Sequence, residues 1–298
     1  MSLDLGINLM NKRIILPTFN APFDDPDNPL HVIRGGPLTM VRATPATYLH
    51  PTTNFITSAA NNVLRIEANG ALIEGARTNL CLQSQTLGTT WTPTNITVTD
   101  NDGVSPDGTT NAELLTSTAG NGTLIQDLGA IASDAKVFSI YLKRKTGTGN
   151  IDLTLDNGGT WTTKTITTSW ARYEITATAA DPDVGIRIVT SGDAIWAWGG
   201  QLEDSASFAS SYIPTVAASV TRNADDLTAS QTISGTTGTM IATVKSLAAS
   251  VSGVNNYVLD IGAANSPVAY RQGVSGVLAA YDGSAERLGP TWNDTASH

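Results

Sequence analysis

The sequence predicts an all-β protein: a jelly-roll β-sandwich, preceded by an extended Pro-rich N-terminal arm and followed by a partial second β-sandwich. Three observations predict it. The middle of the chain consists of short runs in which apolar and polar residues alternate, the period of two expected of a sheet with one buried face. Gly, Asn, Asp and Thr separate these runs, and such residues supply turns. No run sustains a helical period.

Residues 1–70 read as an extended arm with short strands, suited to attachment or assembly. Between Leu16 and Pro29 stand four prolines among Asp and Asn. Proline cannot donate to a β-ladder and biases the residue before it towards extended geometry. Such an arm packs either on another subunit or on its own domain. Short strands follow at Val41–Thr44, Thr47–Leu49, Val63–Ile66 and Ala71–Glu74. Asn69-Gly70 signals a two-residue hairpin with positive φ at both central positions.

Residues 71–225 carry the sandwich. Val137–Lys143, Ile151–Asp156, Thr160–Thr167, Ala171–Ala177, Val184–Val189 and Ile195–Trp198 alternate in turn, and Asn157-Gly158-Gly159 makes a turn between two of them. Ser210–Thr215 reads as a strand leaving the sandwich. Asp225-Asp226 reads as a charge pair at a hinge. Residues 226–298 hold further strands at Gly238–Lys245, Tyr257–Gly262 and Gly276–Gly283, too few for a complete second sandwich. The region is either a fragment or completes its sheet with another chain.

Composition excludes several function classes. Only 14% of the 298 residues are charged, while 41% are hydrophobic; ordinary domains are about a quarter charged. The surface is therefore polar through hydroxyls and amides. A net charge of −9 argues against nucleic-acid binding, which needs a basic stripe. Lys143-Arg144-Lys145 reads as a solvated strand end. The single cysteine, Cys81, excludes an intrachain disulfide and a multi-cysteine zinc site, and its apolar neighbours make it a buried thiol. No signal peptide or membrane span is read, so the expectation is synthesis in a cytoplasm without membrane insertion. The three histidines, His31, His50 and His298, lie outside the sandwich and supply no base for a Ser-His-Asp arrangement there. Paired carboxylates for glycoside hydrolysis stay open, because such pairing is spatial.

Aromatic faces and nearby amides are what a sugar-binding surface requires. Trp161, after the Asn157 turn and flanked by threonines, is the leading candidate at a sheet edge, with Asn157, Tyr173 and Trp91 completing the ligand-binding set. Trp196 and Trp198 project to one face of a strand, and core packing is the expectation for both. Asp181-Pro182-Asp183, and Asp152 with Asp156, could offer oxygens to calcium, although Asp-Pro-Asp is also an ordinary turn. Glu74 and Arg77 read as a structural pair or as groups that hydrogen-bond a turn, rather than as chemistry.

Several of these segments, in order, resemble a module of tailed-bacteriophage tail-fibre, baseplate and minor virion proteins. They are Leu72–Leu80, with Ile73-Glu74-Gly75-Ala76-Arg77-Thr78-Asn79-Leu80, then Trp91, Ser105–Ala112 and Trp170–Tyr173. Trp198–Glu203, Ser211–Thr215 and Val220–Asp225 complete the set. The resemblance implies a carbohydrate-binding-module-like jelly roll on a virion protein. It also implies a concanavalin- or laminin-G-like start after Asp226 and, in some members, a structural calcium, for which Asp181 and Asp183 are the candidates here. The expected function is a non-enzymatic virion structural protein displaying a module for host-surface glycans. The expected partners are other virion proteins, further copies of itself as a homo-oligomer, and a host glycan. A capsid decoration or head-fibre protein, and the N-terminal part of a polysaccharide depolymerase, are the alternatives.

Overall fold

The computed structural model describes residues 38–229 and four strands beyond them. The proline-rich arm and the expected strand at 238–245 lie outside the described residues. The chain divides into two units, Met1–Thr232 and Ile233–His298.

The first described strands of the first unit are Leu38–Val41 (β1), Ala46–Leu49 (β2) and Ile56–Ala59 (β3). Arg65–Glu67 (β4), Gly70–Leu72 (β5) and Arg77–Asn79 (β6) follow. Next come Thr92–Thr94 (β7), Ile96–Val104 (β8), Thr110–Ser117 (β9), Gly122–Gln126 (β10) and Asp134–Thr146 (β11). Ile151–Thr154 (β12), Thr162–Lys164 (β13), Ala171–Ala179 (β14), Val184–Ile188 (β15) and Ala194–Asp204 (β16) complete the sandwich. Val220–Arg222 (β17) and Asp226–Ala229 (β18) are its last described strands. The second unit holds Asn256–Asp260 (β19), Val268–Arg271 (β20), Val277–Tyr281 (β21) and Glu286–Thr291 (β22), an antiparallel four-stranded sheet in sequence order.

Two antiparallel five-stranded sheets form a β-sandwich, one ordered β13-β12-β15-β10-β7 and the other β14-β11-β16-β9-β8. The alternation read from the sequence sets their facing surfaces. Leu124, Ile151, Leu153, Ile186 and Ile188 point inward from the first sheet, and Leu115, Phe138, Ile140, Leu142 and Ile195 from the second. Each is fully buried, and burying a side chain of this size contributes about 1.5–3 kcal/mol. Cys81 lies in the same core, where burial pushes its thiol up.

A second apolar cluster covers the outer face of the β11–β16 sheet. Trp198 is fully buried there against Tyr212, with ring centroids 4.6 Å apart, and Tyr141 meets it edge-on at 5.6 Å. Ser210–Thr215 is therefore not a strand leaving the sandwich. It is an irregular cover whose Tyr212 hydroxyl bonds Ser84 Oγ at 2.7 Å. Trp196 packs against this cluster but stays part-buried, with the Lys143 and Lys145 ammonium groups about 5 Å from its ring and its indole N–H on Asp102 at 2.8 Å.

Residues 38–70, expected to go with the arm, are tied to the end of the first unit. β1 pairs with β18, and β6 with β17. Beneath these pairs lies a buried ion network. Arg42 donates to Asp225 at 2.8 Å, Arg65 pairs with both Asp225 and Glu74, and Arg222 stands 3.6 Å from Glu74. Glu74 also accepts the Ser211 backbone N–H at 2.8 Å, and its own N–H donates to Asp225. Two expectations are thereby corrected. Glu74 pairs with Arg65 and Arg222 rather than Arg77, which lies over the Phe208 ring, and the Asp225 side chain is buried against Arg42 and Arg65 rather than one half of a hinge charge pair. The expected hairpin forms as β4–β5, but Glu67 opposes Gly70, so the turn centres on Ala68-Asn69 and only Gly70, at φ 109°, takes the positive angle.

Candidate functional site

The outer face of the β13-β12-β15-β10-β7 sheet is the candidate site. Its register sets one polar row across all five strands, Thr163 opposite Asp152, Asp152 opposite Arg187, Arg187 opposite Thr123, and Thr123 opposite Thr94. The alternate residues Ile151, Leu153, Ile186 and Leu124 fill the core, so the row must face outward. Asp152 anchors it. Its carboxylate accepts both Nε and Nη2 of Arg187, at 2.9 and 2.6 Å, and the Thr163 hydroxyl at 2.7 Å. A side-on pair of this kind fixes the guanidinium plane.

That plane carries Trp161. The Arg187 guanidinium lies 4.6 Å from the Trp161 ring centroid, within cation–π range. The turn at 156–160 holds the ring from beneath. Asn157 and Gly158 both take positive φ, 54° and 80°, and a Cβ on Gly158 would stand 2.7 Å from Trp161 Cζ2. A residue other than glycine at 158 would meet the ring itself. Asp156 closes the turn by accepting the Thr160 N–H and the Thr154 hydroxyl, both at 2.8 Å. Burial works against its ionisation, but these bonds hold its carboxyl below the usual range. The result is a Trp–Arg shelf beside a row of hydroxyls, with Thr163 and Thr94 exposed and Trp161, Arg187 and Thr123 part-exposed.

Of the residues expected from sequence, Trp161 and Asn157 meet here, while Tyr173 and Trp91 do not. Trp91 is 3% exposed, its indole N–H donates to Leu82 O at 3.2 Å, and it packs on Phe138, so it is core rather than a ligand platform. Its place in the core follows from its position just before β7, facing the second sheet. Tyr173 is half-buried against the core and donates its hydroxyl to Thr165 O at 3.0 Å. The Asp152 carboxylate is committed to Arg187 and Thr163, and that of Asp156 to its own turn. Sequence reasoning missed Arg187, Thr163 and Thr123. The alternation of β12 and β15 placed Asp152 and Arg187 on outward positions, but only register could set them opposite one another.

Asp181 and Asp183 are joined by Asp127, from the loop after β10, which sequence reasoning also missed. Carboxylate oxygens of the three lie within 4.8 Å of one another. Burial and the charges of Asp127 and Asp181 push the Asp183 carboxyl above its usual range, and its buried Oδ1 has no hydrogen-bond partner. An all-oxygen set with an orphaned acceptor fits a hard divalent cation such as calcium, which Asp127, Asp181 and Asp183 would hold and which would neutralise their repulsion. The cluster adjoins the Trp161 turn, because the Asn157 N–H donates to Asp183 O at 3.1 Å. No helix among the described residues is long and apolar enough to cross a membrane.

Fold and face together define a two-sheet β-sandwich with one polar, aromatic-edged sheet surface. No family model matches the chain, and no curated protein matches it. Among solved structures it is similar to a family 29 carbohydrate-binding module complexed with cellulohexaose, at 11% identity and a TM-score of 0.34, covering 44% of this chain and 92% of that one. It is also similar to a xylan-binding domain from Paenibacillus barcinonensis, at 13% identity and a TM-score of 0.31, covering 45% and 94%. A family 61 module in complex with β-1,4-galactotriose matches at 15% identity and a TM-score of 0.34, covering 42% and 98%. The likeness is distant, lies in the β-sandwich, and carries no weight for function.

Proposed function

We propose that the sandwich binds glycan on the sheet face built around Trp161, Arg187 and Asp152, within a non-enzymatic virion protein of a tailed phage. The observation that carries the binding reading is the in-register polar row beside a Trp–Arg shelf. An indole offers a face to sugar C–H groups, while a guanidinium, a carboxylate and threonine hydroxyls offer the donors and acceptors that fix sugar hydroxyls. The shelf is pre-formed, since Asp152 and the Gly158 turn hold both planar groups, so little side-chain entropy is lost on binding. Single sites of this size bind weakly, and display on a multi-copy particle multiplies them.

The virion reading rests on the ordered sequence resemblance between Leu72 and Asp225. Glu74, Ser211, Arg222 and Asp225, all within the matched segments, converge on one buried network, so that pattern belongs to the fold and the glycan preference to the open sheet. The test is titration of soluble and immobilised polysaccharides with the full chain. Wild type is expected to bind at least one class, and Trp161→Ala to lose about tenfold or more in affinity with its fold intact, as expected when a stacking platform worth a kcal/mol or more is removed. Equal binding by Trp161→Ala, or no binding by wild type across neutral and acidic polysaccharides, would sink the glycan reading. Absence of the chain from purified particles would sink the virion reading separately.

A further inference from the structure

We propose that β14 is an assembly edge, through which two copies of this chain join strand to strand. The two five-stranded sheets end in four edges: β13, β7, β14 and β8. Natural sheets guard such edges against pairing with other chains by shortness, proline, bulges or charge. Three of the four are guarded here. β13 has three residues, β7 is Thr92-Pro93-Thr94, and β8 is broken by a bulge between Thr99 and Gly103 that carries Asp100 and Asp102. β14 has nine residues, no proline and an unbroken register with β11. Its only charges, Arg172 and Glu174, sit in its first half and are turned onto Ser210 O, Ser139 Oγ and the Ala209 N–H of its own chain. Thr176, Ala177 and Thr178 are exposed. Among the described residues, no backbone group of Tyr173–Ala179 bonds outside the β11 ladder.

The sequence of β14 is complementary to itself. An antiparallel pair about a two-fold axis through Ile175 is the register that pairs all nine residues. It sets Tyr173 against Ala177 of the second copy, large against small, on the core-side face. On the other face it sets Arg172 against Thr178 and Glu174 against Thr176, with no like charges opposed. Other registers leave residues overhanging. The outcome is one ten-stranded sheet across two copies, with the Trp161 face of each on its other sheet. This holds whatever that face binds.

The experiment measures self-association of the full chain by sedimentation equilibrium, comparing wild type with Thr176→Glu and Thr176→Lys. Thr176 is exposed, so both variants fold. Wild type is expected to dimerise. Thr176→Glu places two like-charge pairs opposite Glu174 and is expected to weaken the dimer by about tenfold, while Thr176→Lys, opposite the same residue, tightens it. A wild type that stays monomeric at the highest attainable concentration overturns the proposal. So does a dimer on which the two substitutions act alike.

Discussion

Replacing Glu74 by Ala is the sharpest test of how this fold is closed. The Glu74 side chain is 5% exposed and faces two guanidinium groups, Arg65 at 2.7 Å and Arg222 at 3.6 Å, whose own side chains are 0% and 1% exposed. It also holds the Ser211 N–H. Removing one partner of a buried pair costs about 3–5 kcal/mol, because the cations left behind keep their desolvation penalty without the compensating charge. Domains have only about 5–15 kcal/mol in total, so the variant loses about a fifth of its stability at the least and most of it at the worst. Urea unfolding followed by tryptophan fluorescence reads this as a lower midpoint at unchanged slope. Arg222 sharpens the test, since none of its three guanidinium nitrogens has a hydrogen-bond partner. Burial pushes its guanidinium below the usual range, and Glu74 opposes that shift. Arg222→Met is therefore expected to cost little alone and to recover part of the loss when combined with Glu74→Ala.

Acid gives an independent reading of the same network. Burial disfavours the Glu74 carboxylate, but Arg222, Arg65 and the Ser211 bonds overcome it and hold the carboxyl below its usual value. The folded state thus binds this proton less readily than the unfolded chain. Its contribution is present above the unfolded value and disappears as pH falls through the depressed folded one. Wild type should lose stability over that acid range, and Glu74→Ala should lose less. A destabilisation below about 1 kcal/mol, the size of an exposed pair, together with an unchanged acid limb, would refute the account.

Other outcomes follow from single contacts. Trp198→Ala should cost about 3–5 kcal/mol, the loss typical of an excised core aromatic, whereas Trp161→Ala should cost about 1 kcal/mol or less, the scale of an exposed cation–π contact; comparing the two melts tests which tryptophan is structural. Burial and the neighbouring Asp100 raise the Glu113 carboxyl to about 8. The folded state therefore keeps a proton that the unfolded chain releases, and stability should fall as pH rises from the ordinary carboxylate range through about 8. Glu113→Gln should flatten that decline, and a carboxyl titration by NMR reads the value directly. Calcium should raise the wild-type melting midpoint and leave Asp127→Asn unchanged; equal shifts in both would remove the carboxylate trio as the ligand set. Cys81 should resist thiol reagents until the chain is unfolded, since it is fully buried.

The sequence by itself determined that the protein is all-β, where its alternation falls, and that Trp161 would stand beside a turn at a sheet edge. These are local facts, fixed by a side-chain period of two and by the turn chemistry of Asn157-Gly158. It also placed Glu74, Arg222 and Asp225 in the segments that carry the resemblance, without saying why they stand there. Tertiary structure decided the rest. Strand register set Asp152 opposite Arg187, 35 residues away, and brought Asp127 to Asp181 and Asp183. It separated two tryptophans only two positions apart, since Tyr212 covers Trp198 while two lysines flank Trp196. It buried Asp225 against Arg42 across 183 residues of chain. Periodicity says which side of a strand a residue occupies, whereas the choice of neighbour depends on pairings between distant segments. Those are settled only when the whole sandwich buries its core, and they are what turn a part-exposed tryptophan into a shelf.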